Sequence, residues 1–200
     1  MKEYPQKSFN LSALLDLPEG EQLFSQTAID EHLKLYAGYV KNLNGLYTTL
    51  ADLMQDSEKN AFAFGEVKRR LGFEFNGVRL HELYFEQLEP VGAASEIGLL
   101  RESIEAQWGS YEAFEAEFKA AGKMRGIGWA LLVHDEVEDA LHTVWVADHE
   151  LGHLGGQTIL LAMDVWEHAY WDYKPTGRGA YIDAFMKHVN WGVVEKRFRK

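Results

Sequence analysis

From Ile29 onward the apolar and aromatic residues fall into a helical beat. Ile29, Leu33, Tyr36, Val40, Leu43, Tyr47 and Leu50 alternate spacings of four and three, the stripe of a long helix that packs along its length against a partner. Thr27, with Asp30 three positions on, predicts a capping box at its start. A shorter stripe, Leu80, Leu83, Tyr84 and Leu88, predicts a second helix over 78–88, and the two together an antiparallel helical hairpin. Pro90 and Gly92 in "LEPVGAAS" break the pattern and predict a boundary near residue 90, with a hairpin domain over 1–90 and a second domain over 91–200. In that second part residues 96–120 read as helices. "GIGWALLVHD" and "EVEDALHTVWVAD" read as two strands around an acidic turn, and "TILLAM" as a third, buried strand. Tyr181, Ile182, Phe185 and Met186 return to helical spacing between Gly179 and His188. The expected class is α+β, and the first twenty residues show no period.

Composition narrows the chemistry. The chain has 200 residues and a formal charge of −11, so it lacks the basic face that a nucleic-acid partner requires. No apolar run approaches the roughly 20 residues of a membrane span. The N-terminal "MKEYPQKSFN" lacks the apolar core of a secretory signal, so the expected location is cytoplasmic. There is no cysteine, which removes disulfides and thiolate sites together. A metal would have to be held by His, Asp or Glu.

Such residues gather in a few places. "DVWEHAY" sets Asp164 and His168 four apart, just after the apolar run; a helical turn there would bring carboxylate and imidazole to one side. An isolated pair of this kind is more often an Asp orienting a His. His32 lies beside the first stripe with Tyr39 two turns further on, and His81 lies beside Leu80 on the second helix. A lone His at either place is more often a surface or a satisfied core residue, yet a hairpin can bring the two opposite one another. Three imidazoles and one carboxylate suit zinc, iron or manganese. His142, His149 and His153 are further candidates, while His134 and His188 carry no signal. Trp129, Trp166, Trp171, Tyr84 and Phe85 read as core, with a second use in restricting solvent around a metal.

The ordered set resembles the iron/manganese superoxide dismutases from about Thr27 to Phe198. "DVWEHAY" and "RGAYIDAFMKHVNWGVVEKRF" are similar to that family's C-terminal signature; "EHLKLYAGYVKNLN", "LHELYF" and "GIGWALLV" match more weakly. The resemblance implies a helical hairpin followed by a mixed domain with a three-stranded antiparallel sheet and flanking helices. One iron or manganese ion would sit between them on His32, His81, Asp164 and His168, with a solvent molecule as the fifth ligand. It implies Tyr39 as a gateway tyrosine and Trp129 and Trp166 as aromatic walls. His149 in "ADHELGH" would stand where many relatives carry a second-sphere Gln, whose other location, on the second helix, is filled here by Gly77. Glu167 would reach His168 of a neighbouring subunit, which implies a homodimer.

The implied activity is dismutation of superoxide to oxygen and hydrogen peroxide by alternating reduction and oxidation of the ion. The imidazole at 149 tilts the choice toward iron. Lys34, Lys41, Arg79 and Arg178 are candidates for a local positive funnel toward an anionic substrate. Three departures bear on the site. His32 and Tyr39 are seven apart instead of eight, with Tyr36 at the family's intervening His. An ungapped match on "YVKNLN" would instead put Glu31 at the ligand position, and His32 is preferred because losing one residue from a π-bulge restores a plain helix. "EHAYWDY" is one residue short, with Trp171 where a second Tyr is expected. The third is His149 itself. The rival readings are a zinc hydrolase on the same ligands with Glu167 as base, and a non-catalytic dimer that keeps the metal for stability.

Overall fold

The computed structural model describes residues 2–18, 20–92, 97–174 and 176–199. Two long helices, α1 (Gln26–Leu53) and α2 (Ala61–Glu86), lead the fold. α3 (Leu99–Trp108) and α4 (Tyr111–Gly122) come next, then β1 (Gly128–Asp135), β2 (Ala140–Ala147) and β3 (Thr158–Asp164). A 3-10 segment, Glu167–Tyr173, precedes α5 (Arg178–Lys187) and α6 (Trp191–Phe198). This is the α+β architecture expected, with helices first and then a three-stranded antiparallel sheet in the order β2-β1-β3.

The stripe on α1 does what its spacing predicts: Ile29, Tyr36, Val40, Leu43 and Leu50 are buried against the rest of the core. The helix begins differently, however. Ser25, two residues before Thr27, caps it by accepting a hydrogen bond from Ala28 N at 3.1 Å, and Asp172 in turn accepts from Ser25 N and Oγ. α2 starts at Ala61, far upstream of the segment expected from periodicity, because its first half buries no clean face and Phe62 is 84% exposed. The break expected in "LEPVGAAS" runs into residues 93–96, which lie outside the described residues.

Segments with no visible period are also held firmly. Tyr4 N donates to Asn44 Oδ1 at 2.7 Å, Lys7 N to Tyr36 Oη at 2.9 Å, and Phe9 packs on Tyr36 and Phe85, so the N-terminal arm straps both hairpin helices. The Tyr4 and Tyr36 hydroxyls both reach the buried Glu82 carboxylate, at 3.0 and 3.1 Å. In α6 the buried Glu195 caps α3 by accepting from Gly98, Leu99 and Leu100 N–H groups. No helix among the described residues is long and apolar enough to cross a membrane.

Sheet geometry sets up the site. β1 and β3 are nearly continuous apolar runs buried on both faces. Their register places Trp129 opposite Asp164, and Val165 N–H bonds Gly128 C=O at 2.9 Å, so the two side chains emerge together where the sheet meets the hairpin. Gly128 has φ +147°, and a Cβ there would lie 2.0 Å from Val146 O. Only glycine lets β2 approach the start of β1 so closely.

Candidate metal centre

His32 from α1, His81 from α2, Asp164 from the end of β3 and His168 from the following 3-10 segment each offer a donor atom, and these atoms lie within 4.8 Å of one another. Asp164 Oδ2 is the hub, 3.2 Å from His32 Nε2, 3.1 Å from His168 Nε2 and 3.7 Å from His81 Nε2. The other oxygen, Oδ1, accepts from Trp166 N–H at 2.8 Å, an Asx-type turn that ends the strand and swings His168 back over Asp164. All but His168 are buried. Glu31, the ungapped alternative to His32, is on the surface in an ion pair with Lys34. α1 is one continuous α-helix through both positions.

The donor set fits a borderline metal ion, and one atom argues it strongly. His81 Nδ1–H donates to Gly77 C=O at 2.6 Å, which fixes the tautomer and turns the Nε2 lone pair toward Asp164. That Nε2 is fully buried and has no hydrogen-bond partner. A buried acceptor left unpaired is destabilising by about 1–3 kcal/mol unless something binds it. Burial pushes the Asp164 carboxyl up, but the charge and hydrogen bonds of His168 and His32 outweigh this and hold it well below the usual carboxylate range. Burial, against the pull of Asp164, lowers His32 and lowers His81 further. The site therefore sets an ionised carboxylate beside two imidazoles, His32 and His81, that burial holds toward the neutral form, the protonation state that metal ligation requires.

A second layer of polar groups runs away from the cluster. Trp129 Nε1–H donates to His149 Nδ1 at 2.9 Å, and His149 Nε2 meets Tyr39 Oη at 2.8 Å. Indole is only a donor, so Nδ1 must accept, the imidazole proton sits on Nε2, and that N–H donates to Tyr39. Tyr39 packs on the His81 ring, and Gly77 makes room for it: a Cβ at 77 would lie 2.5 Å from Tyr39 Cδ1. Trp166 stacks between His149 and His168. Trp129 packs edge-on against His81, and Tyr84 and Phe85 pack against His32.

The cluster's opening differs from the expectation. A cleft of about 450 Å3 leads to His32 and His168, rimmed by Glu31, Leu35 and Trp171. Tyr36 is not on that rim. Its hydroxyl reaches Glu82 on α2 and Lys7 N of the N-terminal arm, and Leu35 occupies the rim instead. Glu167 is exposed beside Trp171 and Lys174. Of the expected funnel cations, Lys34 pairs with Glu31, Arg79 pairs with Glu82, and Arg178 donates to Gly122 and Gly126 carbonyls. None of those three, nor Lys41, lines the cleft. His153 and Asn76 both bond the His149 carbonyl, a pairing with no local signature in the sequence.

Residues 96–197 match the family model of the iron/manganese superoxide dismutases, C-terminal domain. The chain belongs to the iron/manganese superoxide dismutase family. It is 39% identical over 168 residues to a superoxide dismutase [Mn] of Halobacterium salinarum, covering 82% of this chain and 81% of the relative. A superoxide dismutase [Fe] of Pyrobaculum aerophilum is 34% identical over 172 residues, 84% and 81% of the two chains. A superoxide dismutase [Fe] of Sulfolobus acidocaldarius is 31% identical over 203 aligned positions, 99% and 93% of the two.

The buried imidazoles give family membership a measurable consequence. Burial lowers His149 from 6.5 to about 4. Between those values the unfolded chain binds the proton and the folded chain does not, so stability falls as pH falls. His32 and His81 act in the same direction. Metal-free protein is expected to lose melting temperature steadily from pH 7 to 4. His149→Gln should remove a share of that slope, about 3 kcal/mol by pH 4. Calorimetry across the range checks this, and equal slopes for the two proteins would refute it.

Proposed function

We propose that the protein dismutates superoxide to oxygen and hydrogen peroxide, with one iron or manganese ion held by His32, His81, Asp164 and His168. The observation that carries the reading is the unpartnered, buried His81 Nε2 turned onto a carboxylate shared by two further imidazoles, in a chain whose relatives are named for this activity. The chemistry such an ion supplies is one-electron exchange: over a turnover one superoxide is oxidised to dioxygen and a second is reduced, with two protons, to hydrogen peroxide.

The chain's own residues do the rest. Trp129, Trp166, Tyr84 and Phe85 close the cluster to bulk water, which strengthens every electrostatic interaction inside it. His149 is held neutral, and its Nε2–H is given to Tyr39 Oη, which leaves the Tyr39 hydroxyl proton free to point elsewhere. Burial, with Asp164 and Glu74 nearby, pushes the Tyr39 phenol up, so it keeps that proton through the physiological range. Tyr39 thus serves as the proton donor nearest the cluster, and His149 as the group that orients it.

Relatives named for manganese and for iron stand at similar identity. We favour iron for this chain on the imidazole at 149, which offers one N–H where an amide offers two. A zinc hydrolase would need Glu167 facing the cluster, whereas it is exposed beside Trp171. The test is superoxide turnover per bound ion in protein reconstituted separately with iron and manganese. Turnover with either ion supports the reading and names the ion; negligible turnover at full occupancy of both rejects it in favour of a metal-stabilised, non-catalytic protein.

The homodimer belongs to the same proposal. Trp171 is 73% exposed and Leu35 is 41% exposed, side by side at the rim of the cleft, where a large aromatic has no solvent-facing role. A second copy covering this face would bury both and place Glu167 beside the partner. Trp171→Asp is expected to convert the protein to monomer in sedimentation at micromolar concentration, and an unchanged mass would exclude this face.

A further inference from the structure

His149 reaches Tyr39 from a tight turn, and the imidazole makes the geometry of that turn unusually important. An amide ends in two N–H groups and can satisfy two acceptors over a range of torsions, whereas a neutral imidazole carries a single N–H. With Nδ1 already claimed by Trp129, only the direction of Nε2–H remains, and a rigid ring takes that direction from its backbone.

The backbone at 149 is gripped on every side. Its carbonyl accepts from Asn76 Nδ2 on α2 at 2.7 Å and from His153 Nε2 at 3.1 Å. His153 is itself oriented: Gln157 Nε2–H donates to its Nδ1 at 2.9 Å, which leaves the imidazole proton on Nε2, facing that carbonyl. Gln157 is locked in turn by Leu154 N–H on its Oε1 at 2.9 Å. Just upstream, Asp148 takes φ +51°, a left-handed conformation, with its N–H on Ile127 C=O and its carbonyl facing Trp166 Nε1 at 3.4 Å. Downstream, Ala147 N–H closes the turn on Leu151 C=O at 2.8 Å.

We propose that Asn76 and His153 are positioning residues for the proton path: by holding the His149 carbonyl they aim its one N–H at Tyr39 Oη, a constraint an amide at 149 would not need. The proposal rests on the reading of His149 and Tyr39 given above. It assigns a purpose to a His, a Gln and an Asn that lie outside the ligand cluster, and it makes the effect of His153 conditional on which side chain occupies 149.

The test is a cycle in the full-length, metal-loaded protein comparing His153→Ala, His153→Gln, Asn76→Ala, His149→Gln and the His149→Gln/His153→Ala double variant. The readouts are kcat and KM for superoxide, the midpoint potential of the bound ion, and the melting temperature. His153→Ala and Asn76→Ala are each expected to lower kcat about tenfold, the low end for loss of an outer-shell partner, with KM little changed and the midpoint potential moved. His153→Gln, which can still present an N–H to the same carbonyl, should recover most of the loss. In the His149→Gln background, His153→Ala should change kcat by less than about twofold, as uncoupled sites do. The proposal is overturned if His153→Ala lowers only the melting temperature, or if its effect is the same in both backgrounds. If His149→Gln alone leaves kcat and potential at wild-type values, the reading of His149 fails first, and that outcome is distinct from a failure of the clamp.

Discussion

Asp164→Asn is expected to abolish dismutation without unfolding the protein. Asp164 is the one anion in the cluster, and its Oδ2 is the point on which three imidazole nitrogens converge. Asparagine has nearly the same shape, but it brings no charge to offset a di- or trivalent ion, and its amide turns an N–H donor toward ring nitrogens that need an acceptor or a metal. Loss of an outer partner alone weakens metal sites 10- to 100-fold; loss of the charged ligand should exceed about a hundredfold in affinity and in turnover. The metal-free protein should lose some stability too. The charge and hydrogen bonds of His168 and His32 outweigh the desolvation of the Asp164 carboxylate, and the neutral amide forfeits that surplus, so apo Asp164→Asn should melt below apo wild type. Added metal should then separate the two further: wild type gains about 4 kcal/mol with the ion at a thousand times Kd, and the variant gains little. Metal content, apo and loaded melting curves and superoxide turnover together decide the case. A variant that keeps one ion per chain and turnover within tenfold of wild type would remove Asp164 from the ligand set.

What could be read from the chain alone follows from how each element buries itself. α1 shows a clean stripe because a long helix packs one face, and β1 and β3 stand out because both of their faces are covered. The donor set was legible as residue types, but only the family resemblance joined them, since no local rule links His32 to Asp164 across 132 residues. α6 was hidden because its inward positions include Glu195 and Arg197, buried charges that erase the apolar period while tying α3, α2 and β3 together. The N-terminal arm has no period because it is held by Tyr4, Lys7 and Phe9 singly and not by a face. Helix geometry also decides which residue reaches the rim. Adjacent helical residues point about 100° apart, so Leu35 and Tyr36 are neighbours in sequence yet one faces the cleft and the other faces Glu82.

The same buried polar chemistry yields the largest expected effect on stability, at Gln87. β3 is an edge strand, so the Ala162 N–H and C=O on its open side find no strand partner. Gln87, just past the end of α2 and fully buried, stands in for one: its Nε2–H donates to Ala162 C=O, and its Oε1 accepts from Ala162 N–H at 3.1 Å. Arg197 Nη1 adds a charge-assisted bond to the same Oε1 at 2.9 Å. Gln87→Leu fills a similar volume but strands a donor and an acceptor of the backbone and part of a buried guanidinium. At about 1–3 kcal/mol for each unsatisfied group, partly relieved by relaxation, the expected loss is about 3–5 kcal/mol. For a chain of this size that lowers the melting temperature by about 10 °C or more. The damage should also reach the site, because this stitch joins the end of the helix that carries His81 to the strand that carries Asp164. Metal affinity of the folded variant should therefore fall while His32 and His168 are untouched. Gln87→Glu keeps both acceptor contacts and gives Arg197 a countercharge, so it should recover part of the stability. Denaturant titration of the apo proteins reads the ledger directly; a loss for Gln87→Leu within about 1 kcal/mol, the range of an ordinary single hydrogen bond, would mean that water or a shifted Arg197 replaces the stitch and that the hairpin and the sheet are coupled by packing alone.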